Sequence, residues 1–298
     1  MSMSELSRGD KVRSLHYPAG SLADGEDEVV ITPQRVGFTF AGLRVVRLEP
    51  EATLTLRTDE DELVVLPLAG GCRVETDGLS ATLQGRDDVF ARISDFVYLP
   101  RESEVRITAS RSCELALPSA RARRRLEPAY GEAEAVDIEI LGAGQATRQK
   151  NNYLAPEGLP ADRLCLCEVL TPDGNWSSYP PHKHDDPSTG ESVLEEIYYY
   201  RLGGGPSAYG CHRTYDLEQG WDVTVTVRSG DVFLVPRGYH GPCMAAPGYP
   251  MWYLNVLAGS AAERSLLVAD DPDQHWIRES WRTQATDLRI PMTTAAAR

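Results

Sequence analysis

The fold can be inferred from residues 221–240, which read WDVTVTVRSGDVFLVPRGYH. Apolar and polar residues alternate over WDVTVTV, as they do in a β-strand with one buried face. Gly230 breaks this pattern, a second short strand follows, and a Pro-x-Gly turn then leads to His240. Short strands joined by tight turns are typical of a β-sandwich or a β-barrel.

The rest of the chain repeats this pattern of short strands broken by Gly, Pro or Asp. We predict further strands in RVVRLEPEATLTLRT (44–58), DELVVLPLAGGCRVE (61–75), DFVYLP (95–100), EVRITA (104–109), DIEILG (137–142), RLCLCEVLT (163–171), EEIYYYRL (195–202) and MWYLNVLAG (251–259). Residues 273–284 have helical spacing, and the charged segment 119–137 reads as a linker or an exposed helix. The sequence therefore predicts an all-β protein.

Composition limits the classes of partner. The chain has 298 residues, 42% of them hydrophobic, and a net charge of −14, which argues against nucleic acid or an anionic membrane as a general partner. No apolar run is long enough for a membrane span or a signal peptide, and the six cysteines form no CxxC pair. We expect a cytoplasmic protein with free thiols, with one large domain or two ordinary ones.

The second half of the chain echoes the first. SDFVYLPR (94–101) matches GDVFLVPR (230–237), and DELVVLPLAGG (61–71) resembles EEIYYYRLGGG (195–205), which places Glu62 near the position of Glu196. Two landmarks in the same order indicate an internal duplication. We therefore predict two β-units, residues 1–135 and residues 136–298, the second of which ends in the helical segment.

Two of the six histidines lie in SSYPPHKHD, residues 177–185. In an extended strand His182 and His184 point to the same side, and the two prolines before them disfavour a helix. Glu196 and His240 can complete a four-residue site for one divalent metal ion, with zinc, iron, manganese and nickel all suited to imidazole and carboxylate ligands. Glu195 and Glu191 remain rival ligands, although strand alternation allows only one of Glu195 and Glu196 to point inward.

This arrangement resembles the two motifs of the cupin superfamily. The first is H-x-H, a spacer, and Glu196 followed by six residues and Gly203. The second is Gly230, five residues, a Pro-x-Gly turn and His240. The sequence departs from the pattern in two loops, because eleven residues separate His184 from Glu196 and because the turn reaches His240 one residue early. Loops tolerate such changes.

A narrower resemblance covers the second half of the chain. NWSSYPPHKHD (175–185), LEEIYYYR (194–201), GDVFLVPRGYH (230–240), YLNVLAG (253–259) and HWIRESW (275–281) resemble the 5-deoxy-glucuronate isomerase family of myo-inositol catabolism. That family is similar to the 5-keto-4-deoxyuronate isomerases, which are metal-dependent cupins. The resemblance implies a bicupin of two jelly-roll barrels, a metal ion in the second barrel, and conversion of 5-deoxy-glucuronate to 5-dehydro-2-deoxy-gluconate.

An aldose–ketose isomerase acting on a sugar acid also needs acid–base groups and a cation for the substrate carboxylate. The candidates for acid–base catalysis are Lys183, Tyr198, Tyr200 and Tyr239. The candidates for substrate binding are Arg213, Arg237, His212 and Tyr253. His16 and His275 match no motif, and we interpret them as structural.

The first unit lacks the metal-binding pattern. No H-x-H precedes Glu62, and Glu104 stands where the repeat would place His240. We therefore expect no metal in the first unit. Alternative functions are a uronate isomerase like the 5-keto-4-deoxyuronate isomerases, a sugar-acid-binding bicupin without catalysis, and a metal dioxygenase. The expected partner is a small sugar acid, and a homo-oligomer is compatible with the sequence.

Overall fold

The computed structural model describes residues 14–296, and its regular structure is almost entirely β. α-Helices of the described residues include α1 (Pro33–Val36) and α2 (Trp276–Ser280), and 3₁₀ turns occur at Ala133–Ala135, Gly144–Ala146, Pro187–Thr189 and Trp281–Thr283. The all-β prediction is confirmed, as is the helix predicted within 273–284. The segment 119–137 is not helical, because it contains the end of one strand, a second short strand and a 3₁₀ turn.

The described strands of the first half form one curled sheet, apart from the first of them. They are β1 (His16–Tyr17), β2 (Val29–Ile31), β3 (Ala41–Leu48), β4 (Thr53–Arg57), β5 (Asp61–Thr76), β6 (Leu79–Arg86), β7 (Phe96–Leu99), β8 (Glu104–Ala109), β9 (Cys113–Arg121) and β10 (Ala129–Gly131). The main order is β10-β7-β5-β9-β3-β2, β6 and β8 pair with β5, and β4 pairs with β8.

A bend in β5 makes this sheet curl. Residues before Gly70 pair with β7 and β9, and residues after it pair with β6 and β8. Gly70 has φ of +76°, and a Cβ atom there would lie 2.3 Å from the carbonyl oxygen of Ser112. Only glycine fits such a close approach.

The second half forms two sheets. Its strands are β11 (Asp137–Leu141), β12 (Arg148–Leu154), β13 (Cys165–Thr171), β14 (Trp176–Ser177), β15 (His182–Lys183), β16 (Leu194–Leu202), β17 (Gly210–Asp216), β18 (Trp221–Val227), β19 (Val232–Val235), β20 (Tyr239–Ala245), β21 (Met251–Gly259) and β22 (Ala269–Asp270). One sheet has the order β1-β19-β16-β21-β13-β12-β11. The other has the order β18-β17-β20-β15-β22, with β14 beside β20.

The two halves share a hydrophobic core, and this core fixes the direction of the site. Val45 and Leu66 of the first half lie in one cluster with Leu166, Ile197 and Val256 of the second half. Side chains alternate along a strand. One face of β13, β16 and β21 therefore packs against the first half, and the other face points into the second half.

Two glutamates join the halves in a reciprocal way. The carboxylate of Glu62 accepts hydrogen bonds from the backbone N–H groups of residues 162–164 at 2.6–2.7 Å. The carboxylate of Glu195 accepts hydrogen bonds from the backbone N–H groups of residues 39–41 at 2.6–3.1 Å. Each glutamate thus binds the chain just before a strand of the other half.

The register of the strands shows which residues of the two similar segments correspond. Leu63 pairs with Leu99 in the first half, and Glu196 pairs with Val235 in the second half. Leu99 and Val235 occupy equivalent positions in the repeated segments. Glu62 therefore corresponds to Glu195, and Leu63 corresponds to Glu196. Across residues 14–296 there is no helix with the length and apolar character needed to span a membrane.

Candidate metal centre

Three of the four predicted metal ligands, His184, Glu196 and His240, form one cluster inside the second half, and His182 lies beside it. β15 places His182 directly opposite His240 of β20, with the two ring centroids 4.5 Å apart. His184 follows β15, and its Nε2 lies 3.0 Å from Oε2 of Glu196 on β16. Nε2 of His240 lies 3.1 Å from the same oxygen. Ligand atoms of His184, Glu196 and His240 lie within 4.8 Å of one another, and all three residues are buried.

A second layer of contacts orients the three imidazoles. In each ring Nδ1 lies within hydrogen-bond distance of a backbone carbonyl oxygen, so that Nδ1–H is the donor and Nε2 is the ring nitrogen left to bind a metal ion. The pairs are His182 with Pro180 at 3.1 Å, His184 with Leu194 at 3.1 Å and His240 with Gly238 at 3.3 Å. Nε2 of His240 is buried and has no hydrogen-bond partner. Its contact with the Glu196 carboxylate does not have the geometry of a hydrogen bond.

The electrostatics of the cluster suit a cation. Burial, together with the neighbouring His240, lowers the pKa of His182 to about 3, so the His182 ring is neutral at physiological pH. Burial alone would raise the pKa of Glu196, but His240 and the hydrogen bond with His184 lower it below its ordinary value. Burial alone would lower the pKa of His184, but its hydrogen bond to the Glu196 carboxylate raises it above the ordinary value. Imidazole nitrogens and an ionised carboxylate are the donor set of a divalent metal ion, which would replace the proton on Nε2 of His184. The residues therefore fit such an ion.

The rival glutamates are occupied elsewhere. Glu195 points to the opposite face of β16, where it binds the backbone of residues 39–41. Glu191 accepts hydrogen bonds from the Lys183 ammonium at 2.5 Å and from the backbone N–H of Asp185 at 3.0 Å. Of the three glutamates, Glu196 is the one beside the histidines.

A cavity of about 200 Å³ opens onto His182, His184 and Glu196. Tyr198 and Tyr253 also line it, and both hydroxyl groups lie 3.2 Å from Oγ of Ser178. Burial raises the pKa of both tyrosines well above the ordinary value, so their hydroxyls remain protonated. They can therefore donate hydrogen bonds to a bound sugar.

Two further candidates lie behind this cavity. The hydroxyl of Tyr200 lies 2.6 Å from Nδ1 of His212, and the His212 ring stacks on Phe233 with centroids 3.9 Å apart. Both residues are completely buried, and neither lines the cavity. Their contacts support the wall that Tyr198 belongs to.

The remaining candidates lie outside the cavity. Lys183 points away from its histidine neighbours and pairs with Asp185 and Glu191, and with Tyr239 and Arg237 it lines a separate surface pocket. Arg213 forms an ion pair with Asp222 at 2.7 Å. Arg237 pairs with Asp216 at 3.3 Å, and Tyr239 stacks on Tyr215. Strand alternation explains why the side chain of Lys183 points outward, because it lies between two histidines that point inward.

The two histidines interpreted as structural lie away from the cluster. His16 pairs with Asp231 at 2.8 Å, and the exposed His275 pairs with Asp270 at 3.0 Å. Sequence reasoning missed the cations of the cavity, which are Arg148, Lys150 and Arg278. Arg148 and Lys150 have the i, i+2 spacing of one strand face, which was the available signal, but β12 carries no clear apolar alternation.

Comparison with known proteins identifies the family. The KduI/IolB family profile matches residues 15–277. A 5-deoxy-glucuronate isomerase of Geobacillus kaustophilus (strain HTA426) is 38% identical over 269 residues, which cover 89% of this chain and 96% of the relative. The 5-deoxy-glucuronate isomerase of Bacillus subtilis (strain 168) is 33% identical over 252 residues, which cover 84% of this chain and 92% of the relative.

Solved structures agree with this comparison. An IolB-like protein from Salmonella typhimurium LT2 superposes with a TM-score of 0.82 at 31% identity, covering 89% of this chain and 99% of that one. An oxalate decarboxylase from Lactobacillus farciminis, solved as a formate complex, shares the fold at 12% identity with a TM-score of 0.64, covering 91% of this chain and 96% of that one. The family match and the structural match each cover most of this chain, which belongs to the KduI/IolB family.

Proposed function

We propose that this chain is a metal-dependent aldose–ketose isomerase that converts 5-deoxy-glucuronate to 5-dehydro-2-deoxy-gluconate in myo-inositol catabolism. The observation that carries the proposal is the buried cluster of imidazoles and one carboxylate at the wall of a cavity. The 5-deoxy-glucuronate isomerases that the chain resembles, at 38% and 33% identity, support the substrate. The partner of the protein is then a small sugar acid.

His182, His184, Glu196 and His240 would hold one divalent ion, for which zinc, manganese, iron and nickel are all suitable. When bound, such an ion polarises a carbonyl group and stabilises negative charge on its oxygen. The second-layer contacts of the three imidazoles keep their Nε2 atoms available for this role. These contacts support a preformed site.

The isomerisation moves one hydrogen from C2 to C1 and one proton from the C2 hydroxyl to the C1 oxygen, without net oxidation. Tyr198 and Tyr253 can donate hydrogen bonds to the sugar oxygens, because their hydroxyls are protonated and line the cavity. Tyr200 supports the wall through His212. Lys183 and Tyr239 lie on the other side of β15 and β20, so we assign them no contact with the substrate.

We also infer that the chain is a bicupin with units at residues 1–135 and 136–298, and that the first unit binds no metal. The repeated segments and the reciprocal contacts of Glu62 and Glu195 support two related units. Glu104, which aligns with His240, pairs with the exposed Arg57 at 2.6 Å. Leu63, which corresponds to Glu196, lies in an apolar core.

In this division β1 belongs to the first unit and pairs with β19 of the second unit. The six cysteines are free, which supports a cytoplasmic location. The association of this protein into a homo-oligomer remains a prediction.

Proton NMR of purified, metal-loaded protein with 5-deoxy-glucuronate tests the proposed function. Isomerisation replaces the aldehyde and C2 signals with those of the ketose and consumes no oxygen. Line broadening without new signals would indicate a binding protein, and oxygen-dependent products would indicate a dioxygenase. Turnover of a 5-keto-4-deoxyuronate in place of 5-deoxy-glucuronate would identify the related uronate as the substrate. In heavy water, loss of the migrating hydrogen to solvent indicates an enediol route, and its retention indicates a hydride shift.

A further inference from the structure

Arg148 is a buried cation that lacks an acidic partner. Its side chain is 7% exposed, it lines the cavity, and Nη1 donates a hydrogen bond to the carbonyl oxygen of Ala146 at 3.2 Å. Within the described part of the chain, no carboxylate forms an ion pair with it. The other cations of the cavity are paired, Lys150 with Glu139 at 3.4 Å and Arg278 with Asp270. Buried charges are normally paired because desolvation is costly, so Arg148 calls for an anion from outside the chain.

The surroundings of Arg148 hold its guanidinium in place. The guanidinium carbon lies 5.5 Å from the centre of the Trp281 ring, and the guanidinium of Arg278 lies 5.5 Å from the same ring. Burial lowers the pKa of Arg148 to about 10, so the group is still charged at neutral pH. A fixed, charged guanidinium suits a carboxylate, which it can bind through two parallel hydrogen bonds.

One cavity connects the metal cluster with Arg148, so a ligand in it can carry a charge at its far end. The strands follow the order β16-β21-β13-β12, so three strand spacings separate Glu196 from Arg148. These spacings amount to about 14 Å across the strands. The register adds about 20 Å along the strands, because Glu196 lies level with Cys165 of β13 whereas Arg148 lies level with Thr171. The side chains extend into the cavity that both residues line, which shortens this gap. Asn255 of β21 lines the cavity between the two ends, and its buried Nδ2 has no hydrogen-bond partner. Along the cavity, the metal cluster is thus followed by a hydrogen-bond donor, Asn255, and then by a cation, Arg148.

We propose that Arg148 binds the carboxylate of a linear sugar acid whose carbonyl end faces the metal cluster, and that Asn255 donates a hydrogen bond to a hydroxyl group between them. This inference rests on the proposed function and names the residues that select an acid over a neutral sugar. A neutral aldose would leave Arg148 buried without a counter-ion. Arg148 is therefore the specificity-determining residue of the site.

The test compares Arg148→Gln with Arg213→Gln, a matched change at an arginine outside the cavity. Each variant is assayed on 5-deoxy-glucuronate and on its neutral counterpart, in which a hydroxymethyl group replaces the carboxylate. Loss of a charged hydrogen-bonded pair should lower the ratio of the two kcat/KM values about 10- to 100-fold in Arg148→Gln, chiefly through KM. Metal content should stay unchanged, Arg148→Lys should restore part of the ratio, and Arg213→Gln should match the unmodified protein.

A binding measurement separates this inference from the proposed function. The probe is 5-deoxy-glucuronate reduced at C1 to the alcohol, which keeps the carboxylate and cannot isomerise. Calorimetric titration should show that the probe binds Arg148→Gln about 10- to 100-fold more weakly than it binds the unmodified protein. Its affinity for Arg213→Gln should equal its affinity for the unmodified protein. If the unmodified protein fails to isomerise the substrate but the probe still depends on Arg148, the isomerase function is wrong and the carboxylate site stands. If neither the kcat/KM ratio nor the probe affinity changes in Arg148→Gln and Arg148→Lys, the carboxylate site is wrong.

Discussion

At the scale of single residues, the function depends on which way each side chain of β15 and β16 points. His182 and His184 face inward and Lys183 faces outward, while Glu196 faces inward and Glu195 faces the other half of the molecule. The sequence could predict this alternation from the period of a strand. It could not decide between Glu195 and Glu196, because that choice depends on the register of β16 against β19 and β21.

His182→Ala should lose most of the bound metal, since it removes one of four ligands. We expect the affinity for the ion to fall at least about 10- to 100-fold, the range seen when even an outer contact of a ligand is removed. Elemental analysis of the purified variant measures the number of ions per chain. Glu195→Gln is the matched control and should keep its metal. Full occupancy in His182→Ala would contradict the ligand assignment.

At the scale of elements, the contacts of Glu62 and Glu195 hold the strands of the two halves against each other. Each carboxylate satisfies three backbone N–H groups at a strand entry of the other half. The sequence placed both glutamates at strand starts but could not reveal their partners, which lie about a hundred or more positions away along the chain.

Glu195→Ala should destabilise the fold by about 3 kcal/mol, because it leaves backbone donors without acceptors. Glu195→Gln keeps an acceptor oxygen and should cost about 1 kcal/mol. The free energy of unfolding in urea measures both effects. Glu127→Ala, at an exposed glutamate, is the control and should change little. An equal, small effect of Glu195→Ala and Glu127→Ala would show that these contacts contribute nothing to stability.

The junction between the halves should also respond to acid. Burial raises the pKa of Asp162, but hydrogen bonds from the backbone N–H groups of Arg123 and Arg124 and from the Arg124 side chain lower it below its ordinary value of 3.8. A carboxyl group with a lowered pKa in the folded state stabilises the protein above its unfolded pKa, and this contribution is lost as the pH falls through the folded value.

Asp162→Asn should therefore make unfolding less dependent on pH below about 4. The urea midpoint of the unmodified protein and of the variant, measured at pH 7 and near pH 3, gives the difference. Asp222→Asn, at an aspartate of an exposed ion pair, is the control. An identical loss of stability with acid in the unmodified protein and in Asp162→Asn would rule out this role.

At the scale of the whole molecule, the strand pattern was sufficient for the all-β class, because alternation and turn residues are local signals. The division into two repeated units stays a prediction. Two features were out of reach. Strand β1 joins the sheet of the second half, and Arg148 lies beside the cavity with Arg278 from the end of the chain. Both depend on contacts between segments far apart along the chain, which periodicity does not report.

The two halves should also differ in metal content. Leu63 stands where the second half has Glu196, and Glu104 pairs with Arg57 on the surface. We expect one ion per chain, with its anomalous scattering signal beside His240 in crystals of the metal-loaded protein. A second signal with ligands from residues 14–135 would contradict this asymmetry.

The central claim is that a metal ion held by His182, His184, Glu196 and His240 is required for isomerisation. The most direct measurement follows turnover of 5-deoxy-glucuronate by proton NMR before chelation, after removal of metal, and after addition of a divalent ion. Turnover should be lost with the metal and should return with the ion, and circular dichroism should show that the fold persists throughout. Undiminished turnover by protein that elemental analysis shows to be free of metal would contradict the claim.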